Sequence, residues 1–99
     1  MSEGVQQSAI HIESIVSEIQ HVDISVYPNP VAKNVYISIG QSSHQYYYYL
    51  YSSNGVLLDE NMCNNKTRIS FTHYSKGVYF IKIVERESNL INQYTIIKR

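Results

Sequence analysis

The sequence predicts an all-β fold: a sandwich of about seven short antiparallel strands behind a flexible or partly helical N-terminal leader. Three observations carry this expectation. Apolar and polar residues alternate with a period of two in successive runs from residue 22 onward. Turn residues interrupt those runs at intervals of roughly ten residues. No stretch after residue 22 has the length and the 3.6-residue period of a helix. At 99 residues the chain has room for one domain, which on folding buries about 60–70% of its unfolded surface. That leaves little for a deep enzyme cleft.

The first run sets Val22, Ile24 and Val26 against Asp23 and Ser25. It ends at Pro28-Asn29-Pro30, because both prolines lack a backbone donor and resist continuing a sheet ladder. In the second, Val35, Ile37 and Ile39 alternate with Tyr36 and Ser38 before Gly40. Polar Gln41-Ser42-Ser43-His44 leads into Tyr46–Tyr51, the third strand. Ser52-Ser53-Asn54-Gly55 follows, and Asn-Gly between strand-like runs is a strong hairpin signal. Val56-Leu57-Leu58 opens a fourth strand that runs out in a loop at Asn61–Asn65. Ile69 and Phe71 mark the fifth, and Ser75-Lys76-Gly77 a turn. The sixth, Val78–Val84, puts Tyr79, Ile81 and Ile83 on one face and Val78, Phe80 and Lys82 on the other. Glu85–Asn89 is a charged turn before a last strand, Tyr94-Thr95-Ile96-Ile97.

Residues 1–21 read as a leader, distinct from a domain over 22–99. Ile12, Ile15, Val16 and Ile19 form the stripe of an amphipathic helix, yet all four are β-branched and mediocre helix formers. The Ser, Gln and Glu content equally suits an extended linker, so the segment reads as a linker with helical turns. Its charge differs from the body's. Residues 1–32 hold Glu3, Glu13, Glu18 and Asp23 and no base; residues 33–99 hold eight bases and four acids, so the parts carry −4 and +4. The formal net charge of zero excludes a nucleic-acid binder, which needs a basic footprint. The apolar runs are too short to span a membrane. Met1-Ser2-Glu3-Gly4 lacks the basic start and apolar core of a signal peptide. The chain is therefore either cytoplasmic or a piece of a longer precursor.

No catalytic constellation is visible, and the reading assigns no catalytic residue, metal ligand or cofactor. His11, His21, His44 and His73 lack partners at ligand spacing. Cys63 is a lone cysteine with no neighbouring base to activate it. No Gly-x-Ser-x-Gly elbow occurs, and Asp59, Glu60, Glu85 and Glu87 sit near turns where solvation accounts for them. The tyrosines are less easily dismissed. In the third strand Tyr46, Tyr48 and Leu50 share one face and Tyr47, Tyr49 and Tyr51 the other. One face must pack inward; the other forms either an aromatic binding face for glycan or protein, or cross-strand pairs that stabilise the sheet.

Three segments together resemble a known family. Val26-Tyr27-Pro28-Asn29-Pro30-Val31 followed by Val35-Tyr36-Ile37 resembles the opening of the type A C-terminal sorting domain of Bacteroidetes type IX secretion substrates. Ser75-Lys76-Gly77-Val78-Tyr79-Phe80-Ile81-Lys82-Ile83 is similar to that family's late glycine-x-tyrosine strand. Tyr94-Thr95-Ile96-Ile97-Lys98-Arg99 is similar to its closing strand with a basic tail. Leu50–Leu58 fits the family's hairpin, although Ser52, Ser53 and Asn54 stand near where an acidic or amide residue usually comes earlier.

The resemblance implies an Ig-like sandwich acting as an address and not as an enzyme. It implies an exported cargo upstream, transit through the periplasm, and passage through the outer-membrane type IX translocon to the cell surface or medium. Outer-membrane shuttle and sortase-like proteins are the implied partners. A sortase-like protease usually cleaves ahead of such a domain and joins many of the cargos to lipopolysaccharide, which makes residues 1–21 the exposed linker it would have to reach. Tyr27, Pro28, Asn29, Pro30, Gly77, Tyr79, Lys98 and Arg99 are the implied recognition residues. The prolines give a stiff corner, Gly77 a turn closed to other residues, and the terminal bases an attraction for an acidic receptor. The last strand could pair edge to edge with a partner, and exposed strand edges could also support a homodimer. Two alternatives stand beside this reading: an Ig-like carbohydrate- or protein-binding surface module, and a sorting domain permanently retained on a surface component.

Overall fold

A computed structural model describes residues 23–40 and 44–99. The leader over 1–21, and Val22 as the start of the first strand, lie outside the described residues. Seven strands follow: β1 (Ile24–Tyr27), β2 (Asn34–Ile39), β3 (Tyr46–Ser52), β4 (Leu57–Cys63), β5 (Lys66–Ser70), β6 (Gly77–Glu85) and β7 (Ile91–Lys98). They form an antiparallel three-stranded sheet, β1-β2-β5, and an antiparallel four-stranded sheet, β4-β3-β6-β7. The expected all-β sandwich is the observed fold.

The period of two decides what faces inward. Val35, Ile37 and Ile39 of β2 and Ile69 of β5 meet Leu50 of β3, Ile81 and Ile83 of β6 and Ile96 of β7, all buried in one cluster. Residues of both sheets share that cluster, so each sheet covers the other's apolar face. In β3 the inward set is Tyr46, Tyr48 and Leu50, while Tyr47, Tyr49 and Tyr51 are half-buried on the outside. The Tyr48 hydroxyl reaches the Asp59 carboxylate of β4 at 2.9 Å, which gives the buried ring a partner for its polar end.

Several boundaries differ from the sequence reading, and β7 begins at Ile91, three residues ahead of Tyr94, because Ile91, Asn92 and Gln93 already pair with β6. Strand β4 continues to Cys63, because Met62 and Cys63 still pair with Tyr47 and Tyr46, and the loop shrinks to Asn64-Asn65. Strand β5 covers Lys66–Ser70, and Phe71 lies just beyond it. There the Phe71 amide donates to the Lys33 carbonyl at 2.7 Å while its ring fills the core. The Asn54-Gly55 signal does mark a hairpin. Ser52 N–H donates to the Val56 carbonyl and Gly55 N–H to the Ser52 carbonyl, both at 2.9 Å, with Gly55 at φ +85°.

Candidate functional site

After β1 the chain changes sheets. Tyr27 still pairs with Tyr36 of β2, and four residues later Val31 forms a parallel bridge with Lys98 of β7. The Tyr27–Pro28 and Asn29–Pro30 bonds are cis, and neither proline has an amide to give a ladder. Between them Asn29 supplies with its side chain what the backbone lacks. Its Nδ2 donates to the Thr95 carbonyl at 2.8 Å, and its Oδ1 accepts from the Ile97 amide at 2.9 Å. Val31 then continues in backbone terms: its amide donates to the Ile97 carbonyl at 2.8 Å, and its carbonyl accepts from the Arg99 amide at 2.9 Å. One carboxamide and the backbone N–H and C=O of one residue thus occupy the edge of β7 as a neighbouring strand would. Val31 is fully buried beneath this clamp.

Gly77 and Lys98 are register partners at the same end of the four-stranded sheet. Gly77 has φ +149°, a conformation that side chains with a Cβ rarely adopt, and no neighbouring atom crowds its Cα. The turn it makes is tied by Tyr79, whose hydroxyl donates to the Ser75 carbonyl at 2.6 Å. This is the tyrosine corner of Ig-like sandwiches, in which a tyrosine near the start of a strand bonds back a few residues upstream. The Tyr79 ring is buried and meets Phe71 edge-on, with centroids 5.4 Å apart. Tyr27, Pro28, Asn29, Pro30 and Arg99 are exposed, and Lys98 is half-buried.

Of the residues singled out from the sequence, the fold therefore gathers Asn29, Pro30, Gly77, Lys98 and Arg99 around one end of the sandwich. Tyr79 lies inside that end as its support. Terminal-strand edge pairing needs correction. From Thr95 to Arg99 the edge of β7 is filled by Asn29 and Val31, so a second copy or a receptor strand cannot pair there while the clamp is closed. Val31 as a strand partner was not foreseen, and its only signal was a lone apolar residue immediately after the second proline.

The outer tyrosines stand in a wider apolar field. Tyr47 faces Val84 of β6, Tyr49 faces Lys82 and Tyr51 faces Phe80. The Lys82 ammonium lies 5.3 Å from the Tyr51 ring centroid, within cation–π range.

The groups with chemical potential are engaged in structure. Burial pushes the Cys63 thiol up to about 11, which keeps it protonated and a poor nucleophile near neutral pH. Glu85 was read as a solvated turn residue, yet it is only 5% exposed. Its carboxylate accepts the Glu87 amide at 3.0 Å, the Ser88 hydroxyl, and the Ser88 amide at 2.8 Å. These bonds, in that order, hold its pKa down to about 2 from the ordinary 4.5. His44 Nδ1 lies 3.6 Å from Glu85 and 3.8 Å from Glu87, so the three could approach one cation. With both oxygens of Glu85 already bonded within its own turn, the group is a loop cap. The clue in the sequence was Glu85 preceding Ser88 by three residues, the spacing of a local side-chain-to-backbone turn.

The described residues thus form a small two-sheet sandwich whose last strand is capped by Asn29 and Val31. Residues 25–98 match the secretion system C-terminal sorting domain family. The chain belongs to that family, the C-terminal sorting domain of type IX secretion, which is not an enzyme family. Its role is accordingly that of a sorting signal engaging the type IX machinery, whose cargo is exported to the cell surface or secreted. No curated protein matches the chain.

Proposed function

We propose that the clamped end of this domain is the address read at the outer membrane, where the translocon accepts an exported cargo from the periplasm. Residues 1–21 serve as the tether between that cargo and the domain over 22–99, and a sortase-like protease cuts within the tether once the cargo is outside. Tyr27, Pro28, Asn29, Pro30, Gly77, Lys98 and Arg99 shape the recognised surface, with Tyr79 holding the turn beneath it. The observation that carries this reading is the pair of Asn29 side-chain bonds to Thr95 and Ile97, 66 and 68 residues away. They make one rigid epitope from the two segments that most resemble the family's motifs. Lys98 and Arg99 add positive charge to it, suited to an acidic receptor surface.

The finer steps are tested on a periplasmic reporter fused to residues 1–99 in a type IX-competent cell. Reversing charge with Lys98→Glu and Arg99→Glu should lower surface arrival while circular dichroism stays unchanged. Undiminished arrival refutes recognition through the terminal bases. The mass of the mature surface protein checks processing: loss of about 78–99 residues' mass is expected, and an intact fusion would instead identify a retained domain.

A further inference from the structure

The outer face of the three-stranded sheet carries a cluster of aromatic and basic side chains that makes none of the bonds of the clamp on β7. Tyr27 and Tyr36 pair across β1 and β2 with ring centroids 5.9 Å apart and planes tilted by 30°. Lys66 of β5 holds its ammonium 5.2 Å from the Tyr36 centroid and 6.0 Å from that of Tyr27. Arg68 is the direct cross-strand partner of Tyr36, on the same outward side. Lys66 and Arg68 are exposed, and among the described residues no ion pair involves either. The remaining outward positions, including Ser25, Ser38 and Ser70, hold no carboxylate. Of the acidic side chains among the described residues, Asp23 stands just ahead of β1, where its carbonyl accepts from the Gly40 amide, and Asp59, Glu60, Glu85 and Glu87 belong to the other sheet or to its loops.

One cation held over two aromatic rings, with a second as the cross-strand partner of Tyr36, and neither in an ion pair among the described residues, make a surface complementary to negative charge. The Lys66 ammonium, steadied over the rings, stays open to an incoming anion while its stem contributes apolar contact. The spacing narrows the ligand. Lys66 and Arg68 are two residues apart on one strand, so their side chains leave the sheet about 7 Å apart. Carboxylates on every second residue of an extended chain repeat at the same interval of about 7 Å. A pleated sheet face about 10 Å wide from β1 to β5 suits such a chain lying along it, with the tyrosine hydroxyls and serines available as donors.

We propose that this face docks an extended acidic segment of a partner protein, with Lys66 and Arg68 each taking one carboxylate and Tyr27 and Tyr36 forming the floor. The proposal rests on the sorting reading, and it adds a second contact surface on the opposite sheet from the tyrosine field.

The test uses the full 99-residue chain, labelled with nitrogen-15, and a synthetic peptide of alternating threonine and glutamate. Amide shifts should concentrate at Ser25–Tyr27, Tyr36 and Lys66–Arg68. Affinity should fall at least tenfold between low and physiological salt and vanish in Lys66→Gln/Arg68→Gln. Lys82→Gln, which removes a ring-stacked cation from the other sheet, should bind as the parent does. Shifts spread over the whole chain, or equal loss with Lys82→Gln, overturn the proposal. So does preferential binding of an anionic polysaccharide over the peptide at this face. Movement of the same amides on neutralising Glu3, Glu13 and Glu18 without any peptide would assign the face to the chain's own leader, and also overturn it. In secretion assays Lys66→Gln/Arg68→Gln should cut reporter arrival at the surface at least tenfold. Normal arrival of this folded variant sinks the docking face alone, whereas failure of the parent fusion sinks the sorting reading.

Discussion

At the Pro28–Pro30 corner, contacts run between residues 66 and 68 positions apart and consist of polar bonds to a strand edge. In β3 the organising contacts come from simple alternation, Tyr46, Tyr48 and Leu50 inward and Tyr47, Tyr49 and Tyr51 outward. Both regions are rich in tyrosine or proline, yet chain position determines one and strand pleat the other. The corner covers the edge of the terminal strand from Thr95 onward, a task that natural sheets otherwise meet with charge, bulges or covering segments. The tyrosine strand has neighbours on both sides, β4 and β6, so its stability comes from the face it buries.

The largest expected effect separates the two faces of β3. Tyr48→Ala removes a buried ring and leaves Asp59 without its hydroxyl partner, costing about 3–5 kcal/mol in urea denaturation. Tyr49→Ala on the outer face should cost below about 1 kcal/mol. Equal losses would mean that the outer tyrosines are as structural as the inner ones. Next comes the corner. Asn29→Ala deletes two bonds to β7 and should cost about 1–3 kcal/mol, with faster hydrogen exchange at the Ile97 amide. Asn29→Asp keeps an acceptor for Ile97 but has no donor for the Thr95 carbonyl, and should fall between the two. A smaller loss follows from Tyr79→Phe, about 0.5–1.5 kcal/mol, because the ring still fills its place against Phe71 and only the bond to Ser75 is gone.

The effect of Glu85 depends on pH. Its folded pKa of about 2 lies below the ordinary 4.5, so its stabilisation is fully present above about 4.5 and disappears as pH falls toward about 2. Glu85→Gln should therefore lower the melting temperature at pH 7, and the gap between variant and parent should close across that acidic window. A gap that persists at low pH would contradict the bonding seen in the turn.

Most of the fold was legible because a strand's inward and outward positions are a local property of the sequence. The runs around Ile37, Leu50 and Ile81 announce a buried face without knowledge of any partner strand. Turn chemistry at Asn54-Gly55 and Ser75-Gly77 was equally local. The site was only half legible. Asn29 and Gly77 stand in motif-like segments, but no spacing rule says that an asparagine between two prolines caps a strand more than sixty residues later. Tyr79 shows a different limit: its place in the motif is plain, but only packing against Phe71 and the bond to Ser75 show that it supports the end from inside. Glu85 was misjudged because charge was taken as a sign of exposure, whereas three donors in its own turn make burial tolerable.

The most direct measurement of the central claim is the surface fraction of a periplasmic reporter carrying residues 1–99, compared between type IX-competent and translocon-deficient cells. The account predicts surface arrival only in competent cells and retention in the periplasm of the deficient ones. A fusion whose domain is folded but which stays in the periplasm of competent cells would contradict it.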